Sequence, residues 1–494
     1  MTGIAAIGTY LPRARLERSS IAEAVGWLAP GLARSASGQR TLAFWDEDST
    51  TMAVAAARDC LSGSAGRDAG DRIASLAFAT TTPAFAERQN ASVVHGALRL
   101  PPDCIAQDVT GTPRGALVTL HMALEAASAA LVVAADRPVS RAGSADEMQL
   151  ADGGAAVLTG AGPGLLAYLG GASLTSPFAD RYRRTGSDFA TVWEERWVRE
   201  EGILKLVPDA IARALGRAGV GAGDIDLFVF PGTIRGIGSA VAKKAGLGNA
   251  RIADTLAARC GDTGTGHALL MLAAAMEEIE PGERILLAQF GQGATALVFE
   301  ATEAIAERRP AVSAQLDAGI PERHYLKLPV FCGLLPWEKG LRGRGGVNEA
   351  LSVAHRYNDA LLGFVGGRCR ETGAVQFPPS RISANPQAPL ADTQDPYPLA
   401  DRLGRIASVT ADGLAFSHQP PACYGLVDFD GGGRLMMEFT DPDAQAMRIG
   451  DAVRFVFRIK DVDEQNAYLR YFWKAVPASA ASRAATDEAD RRSA

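Results

Sequence analysis

Residues 261–279 read GDTGTGHALLMLAAAMEEI, and residues 108–127 read DVTGTPRGALVTLHMALEAA. In each, a turn of Gly and Thr opens a helix that is apolar nearly all round. Such a helix has no face for water and must lie inside the molecule. Two of them in one chain imply an internal duplication. The surrounding strands repeat in the same order. In the first half a strand over Leu76 to Thr80 precedes the helix Arg114 to Ser128, then ALVVAAD and AAVLTG follow. In the second half LFVFP precedes the helix, then ILLAQFG and ATALVFE follow. Alternating β-rich and Ala-rich helical runs mark an α/β fold. Two copies of the unit predict a layered αβαβα sandwich over residues 1–302, with halves of about 1–162 and 163–302, and a site where the two buried helix N-termini converge.

The bulk properties narrow the function classes. At 494 residues with 47% apolar and 21% charged residues, the chain is expected to hold two or three ordinary globular domains. A net charge of −6 gives no basic bias, so nucleic acid is not an expected partner. The start MTGIAAIGTYLP lacks a cationic leader with an apolar run behind it, and no apolar run approaches a membrane span. Six scattered cysteines without a CxxC pair suit a reducing cytoplasm rather than a disulfide framework. Beyond residue 302 the text changes. Residues 303–402 read as a linker with some helix, punctuated by ERRPAVSAQ and LRGRGGV. Residues 403–477 alternate as short strands around turn glycines and predict a five-stranded barrel. The tail 478–494 is low-complexity and is expected to be disordered.

With these pieces in order, the chain resembles the thiolase superfamily, in the branch of hydroxymethylglutaryl-CoA synthases and type III ketoacyl synthases. The resemblance rests on IAAIGTYLP, DEDSTTMAVAAARDCL, ATTTPAFAERQNAS, LVVAADRP, ADGGAAVLTG, WEERW, GDTGTG and FGQGATAL, which span nearly all of residues 1–302. The C-terminal part resembles the zinc-ribbon and OB-fold module that accompanies acyl-CoA-handling thiolase-like proteins, most clearly in RCRETGAVQFPPSRISAN and PPACYGLVDFDGGGRL. In that module two CxxC pairs hold zinc. Here Cys369 is kept, while Thr372, Ile382 and Asn385 stand at the other three positions. One thiolate cannot hold tetrahedral zinc, so no metal is expected.

The resemblance also implies a catalytic set. It consists of a cysteine activated at a helix N-terminus, a histidine and an asparagine that stabilise an oxyanion or enolate, and a glutamate acid/base. Position by position, this chain has Pro113 for the cysteine, Gly232 for the histidine, Asp262 for the asparagine and Thr81 for the glutamate. A cysteine acyl-enzyme is therefore not expected. Pro113 has a plain alternative reading as a favoured first helical residue left after catalysis was lost. Against loss stand Gly111, Gly261, Gly264 and Gly266, which a decayed pocket has no reason to keep.

Replacement groups cluster around the same turns. Asp262 reads as a base at a helix N-terminus or as a helix cap. His267, one turn on, reads as a second base or as a satisfied core residue. Arg114 offers a fork of donors to a carboxylate or enolate, or pairs structurally with Asp108. Glu87 reads as a general acid or as an exposed residue at a helix start. Cys260 and Cys104 read as small core residues, with Cys260 the alternative nucleophile. Gly111, Thr112, Pro113, Gly232 and Gly264 are expected to line the substrate.

The expected function is CoA-linked carbon–carbon cleavage or formation on a β-keto or β-hydroxy acid or acyl-CoA, without an acyl-cysteine and with coenzyme A as substrate or thiol acceptor. Two alternatives stand beside it: a non-catalytic scaffold or partner subunit, and a condensing synthase with a relocated nucleophile. The resemblance further implies a homodimer.

Overall fold

Ten strands carry the duplicated part. The first half supplies β1 (Thr2–Tyr10), β2 (Ser75–Ala79), β3 (Ile105–Val109), β4 (Ala130–Asp136) and β5 (Gly153–Ala161). The second supplies β6 (Leu166–Thr175), β7 (Leu227–Val229), β8 (Arg251–Ile252), β9 (Arg284–Phe290) and β10 (Gly293–Ala301). They come from a computed structural model that describes residues 2–62, 73–306, 309–340, 350–385 and 390–478. Strand order is β1-β5-β4-β2-β3 in one half and β6-β10-β9-β7-β8 in the other. The senses also repeat. β1–β5 and β5–β4 are antiparallel while β4–β2 and β2–β3 are parallel. The second half follows the same rule with β6–β10, β10–β9, β9–β7 and β7–β8. The expected internal duplication is thus present strand for strand.

Helices complete the five layers. α1 (Ser49–Leu61) packs on β1, β4 and β5, and α3 (Leu204–Ala218) packs on β6, β9 and β10. Between the sheets lie α2 (Gly115–Glu125) and α5 (His267–Ala275), each touching strands of both halves. Their apolar character is now explained, because every residue from His267 to Ala273 is buried, as are Leu117, Leu120 and Leu124. Burying a leucine side chain is worth roughly 1.5–3 kcal/mol, so these helices anchor the core. The remaining helix of the site, α4 (Ile237–Lys244), follows a loop after β7.

The chain divides into two compact units, with the first running to Cys332. Residues beyond Thr302 therefore still serve the first unit. Ile320–Glu322 pairs in parallel with Ala14–Glu17, and Val312 is fully buried.

The second unit holds a six-stranded antiparallel sheet: β11 (Gly404–Ile406), β12 (Thr410–Asp412), β13 (Ala422–Phe429), β14 (Arg434–Glu438), β15 (Ala452–Asp463) and β16 (Tyr468–Pro477), of which all but β12 form the expected five-stranded barrel in the order β14-β13-β11-β15-β16. A bridge between Phe439 and Ala475 closes it. Its core centres on Phe364 and Trp473, whose rings stack at 5.8 Å. This unit also includes Phe44–Glu47, although the flanking residues belong to the first. The reason is electrostatic. Buried Arg458 meets Glu47 and Asp441 at 3.1 Å, and buried Lys474 meets Asp46 at 3.0 Å and Glu438 at 3.1 Å. Buried charges of this kind persist only when paired.

The hydroxyls of Thr372 and Thr393 stabilise the Cys369 thiolate and lower its pKa to about 6. Ile382 is exposed and offers no donor atom. Among the described residues no group of three or more His, Cys, Asp or Glu could hold a metal ion. The tail expected to be disordered lies outside the described residues from 479 on, as does LRGRGGV.

Candidate functional site

The second-half turn is clamped by its backbone. The Asp262 amide donates to the Gln149 carbonyl at 2.8 Å, and the Ala151 amide donates to the Asp262 carbonyl at 2.7 Å. The Asp262 side chain accepts from the Gly264 amide at 2.9 Å and faces a cavity of about 420 Å³. Arg18, Ser37, Gly232, Thr255 and His267 share its walls. Among the predicted site residues, the structure thus brings together Asp262, His267 and Gly232.

They are not equally available. His267 is buried, with Nε2 3.0 Å from the Thr255 carbonyl and Nδ1 3.3 Å from both the amide and the hydroxyl of Thr263. A carbonyl can only accept, so Nε2 carries the proton and Nδ1 accepts. Both ring nitrogens are engaged. Gly232 leaves no room for the expected histidine, because a Cβ there would stand 2.4 Å from Ile237 Cγ2 and 3.0 Å from the Phe230 ring. Arg18 brings positive charge to the wall. It is nine-tenths buried, its three hydrogen bonds go to the carbonyls of Met148, Ser37 and Ala257, and it has no ion pair among the described residues.

The first-half turn is filled from inside. α2 begins at Gly115 with Arg114 as its cap, so Pro113 stands just before the helix rather than at its first position. The Pro113 carbonyl accepts from Gln289 at 3.2 Å. Arg114 is 5% exposed and donates to the Gly291 carbonyl at 2.9 Å, the Thr295 hydroxyl at 2.8 Å and the Gln292 carbonyl at 3.2 Å. Burial lowers its pKa, with the charge of Asp180 opposing. The structural partner considered for it, Asp108, is occupied elsewhere. It accepts from the amides of Asn90 and Ala91 at the head of helix Asn90–Leu98. Thr112 donates to the Gly291 carbonyl at 3.2 Å, while Gly111 is exposed at φ 93°. Glu87 lies on an exposed loop. None of Glu87, Gly111, Thr112, Pro113, Arg114 or Gly264 lines the cavity.

The two thiols weighed as nucleophile or core residue, Cys260 and Cys104, are poor nucleophiles. Cys260 is wholly buried and donates to the carbonyls of Leu256 and Gly261, and burial pushes its pKa up to about 12. Burial also raises Cys104. An activated cysteine needs the opposite shift.

One residue escaped the sequence reading. Asp136, at the end of β4, is 1% exposed and ties the two halves together. It accepts from the Thr80 hydroxyl at 2.8 Å, the Thr81 amide at 2.7 Å, the Thr82 amide at 3.1 Å and the Thr265 amide at 2.8 Å. Thr81, at the expected glutamate position, gives Asp136 its hydroxyl as well. Gly264 is needed there, since at φ 65° a Cβ would lie 2.5 Å from the Asp136 carboxylate. An acidic residue closing a strand beside both turns was the available signal.

Comparison with known proteins agrees with this architecture. The 3-oxoacyl-[acyl-carrier-protein (ACP)] synthase III C-terminal family matches residues 215–300, and the ChsH2 C-terminal OB-fold domain family matches residues 397–458. Hydroxymethylglutaryl-CoA synthase of Methanosarcina barkeri is 28% identical over 325 residues, covering 63% of this chain and 92% of that protein. The enzyme of that name from Archaeoglobus fulgidus is 28% identical over 349 residues, covering 66% and 99%. Among solved structures, an HMG-CoA synthase complexed with CoA superposes with a TM-score of 0.59 at 18% identity, covering 71% of this chain and 94% of that one. The 3-oxoacyl-(acyl carrier protein) synthase III of Pseudomonas aeruginosa PAO1 gives 0.53 at 23%, covering 61% and 98%. The chain therefore has a thiolase-like fold, is similar to hydroxymethylglutaryl-CoA synthases, and carries an OB-fold domain similar to that of ChsH2.

Proposed function

We propose that the protein is a CoA-linked enzyme that cleaves or forms a carbon–carbon bond in a β-hydroxyacyl or β-ketoacyl thioester, with Asp262 as general base and no acyl-cysteine intermediate. The observation that carries this reading is the Asp262 carboxylate on the wall of a 420 Å³ cavity, in a fold whose nucleophile position holds Pro113. A cavity of that size suits the acyl and thiol end of the substrate.

In the cleavage direction, Asp262 takes the proton from the β-hydroxyl. The Cα–Cβ bond then breaks, the β-carbon leaves as a carbonyl, and the electron pair passes into the thioester as an enolate. Protonation at the α-carbon releases the shortened acyl-CoA. The positive charge of Arg18 at the cavity wall favours the enolate. Arg114, expected from sequence to serve this purpose, has its donors turned to Gly291, Gln292 and Thr295.

Incubation with a panel of β-hydroxyacyl-CoAs and β-ketoacyl-CoAs, with and without free CoA, tests the reading by mass detection of shortened acyl-CoA. No consumption across the panel overturns it. A second reading, a non-catalytic scaffold, is favoured by the internal hydrogen bonds that occupy Arg114, His267 and Thr81. It requires partner binding that survives Asp262→Asn. For assembly, β3 is an edge strand with Ile105 70% exposed, which supports pairing with a second copy. Light scattering of the wild type and of Ile105→Lys tests the homodimer.

A further inference from the structure

Outside that cavity, α2 and β6 carry a second group of reactive side chains. His121 Nδ1 lies 3.0 Å from Ser173 Oγ, and His121 Nε2 faces Glu125 Oε1 at 3.6 Å, one helical turn on. Ser173 Oγ is in turn 3.0 Å from the Thr295 hydroxyl, which receives Arg114 Nη1 at 2.8 Å. Arg114 can only donate, and this orients the chain. The Thr295 proton is free to point to Ser173, and the Ser173 proton points to His121 Nδ1. In that orientation the ring proton is on Nε2, on the side of Glu125, which also accepts the Tyr168 hydroxyl at 2.6 Å.

We propose that Ser173, His121 and Glu125 form a nucleophile–base–carboxylate triad that accepts acyl groups from esters or thioesters. Serine, histidine and glutamate in this spatial order, with Ser173 hydrogen-bonded to His121 and Glu125 within ion-pair distance of its other nitrogen, are recognised by geometry and role, not by sequence position. Accessibility agrees with the roles, since Ser173 is exposed whereas the His121 side chain is 11% exposed. Burial, the larger influence, lowers the His121 pKa against the opposing pull of Glu125, so the ring is neutral and able to take a proton near pH 7. Arg217, which donates to the Gly171 carbonyl at 2.9 Å, places a positive charge near His121 and Tyr168. That charge favours an oxyanion forming at Ser173.

In the step itself, a bond forms between Ser173 Oγ and the acyl carbon as the C–O or C–S bond to the leaving group breaks. The serine proton passes through His121 Nδ1 to the departing alkoxide or thiolate. Water, deprotonated by the same nitrogen, then hydrolyses the acyl-serine. None of these residues lines the Asp262 cavity, so the site is separate from the one proposed above.

The test is covalent labelling of the full chain with a fluorophosphonate, with the adduct located by peptide mass spectrometry and p-nitrophenyl acetate turnover measured in parallel. The expected result is an adduct on Ser173 that is absent in Ser173→Ala. Labelling should slow about a hundredfold in His121→Gln and at least about tenfold in Glu125→Gln. Glu125 is exposed, so its variant keeps the test decisive if His121→Gln loses stability. No adduct on Ser173, or labelling unchanged by both base variants, overturns the proposal. The readout needs no β-hydroxyacyl-CoA turnover, so failure of one proposal leaves the other standing.

Discussion

The two helix approaches descend from one repeated unit yet have opposite fates. Ahead of α2, Thr112, Pro113 and Arg114 are stitched into the β9–β10 hairpin, and the guanidinium fills what would be reaction space. Ahead of α5, the equivalent turn is clamped through the Asp262 backbone and through Asp136 on Thr265, which leaves the Asp262 carboxylate facing a cavity. What differs is where the polar side chain finds its partners. A side chain satisfied by its own fold is structural, and one left facing a cavity is available for chemistry.

The sharpest way to break this comparison is Asp262→Asn. It keeps the size of the side chain and an acceptor for the Gly264 amide but removes the base. Turnover should fall by about 10²–10⁴-fold with thermal stability little changed, measured by steady-state kinetics beside a melting curve. Unchanged turnover would remove Asp262 from the mechanism.

Gly264→Ala attacks the junction between the turns. A methyl group at φ 65°, 2.5 Å from the Asp136 carboxylate, should cost about 3 kcal/mol in denaturant unfolding. Arg114→Met asks whether the first approach is structural. Losing the guanidinium's bonds to Gly291, Gln292 and Thr295 should cost about 2–3 kcal/mol, with KM unchanged for whichever substrate the wild type consumes. A raised KM at intact stability would instead make Arg114 a substrate receptor.

Installing the expected histidine with Gly232→His sharpens the contrast further. It should lose about 1–3 kcal/mol against Ile237 and Phe230, without gain of condensing activity. The smallest effect is at Cys260. With its pKa at about 12, native protein at pH 8 should resist iodoacetamide at this residue and react only after unfolding. The fold disfavours the thiolate. Stability from this group is therefore intact below the unfolded thiol's pKa of about 8.5 and declines as pH rises toward 12. Rapid native alkylation would revive the relocated nucleophile.

The duplication was legible because burial on all sides leaves a mark on composition. HALLMLAAA is buried from His267 to Ala273, and in its partner run ALVTL one threonine interrupts the apolar pattern. The glycines were legible for a similar local reason, since positive φ admits few other residues. The fate of Arg114 was not legible, because its acceptors lie 177 to 181 residues further along the chain. Nor was Asp136, whose donors come from Thr80 to Thr82 and from Thr265, 129 residues away. The partners of DEDSTT were not legible either. Asp48 caps α1, yet Asp46 and Glu47 pair with Lys474 and Arg458 of the barrel unit.

By itself the sequence determined which segments are buried, where the backbone turns, and that Pro113 stands where the resemblance places a cysteine, since periodicity, glycine and residue type are local properties. Only the tertiary structure decided which polar side chains are free to react. That depends on whether a partner arrives from elsewhere in the chain, and hydrogen-bond satisfaction is settled at distances of about 3 Å, not along the sequence.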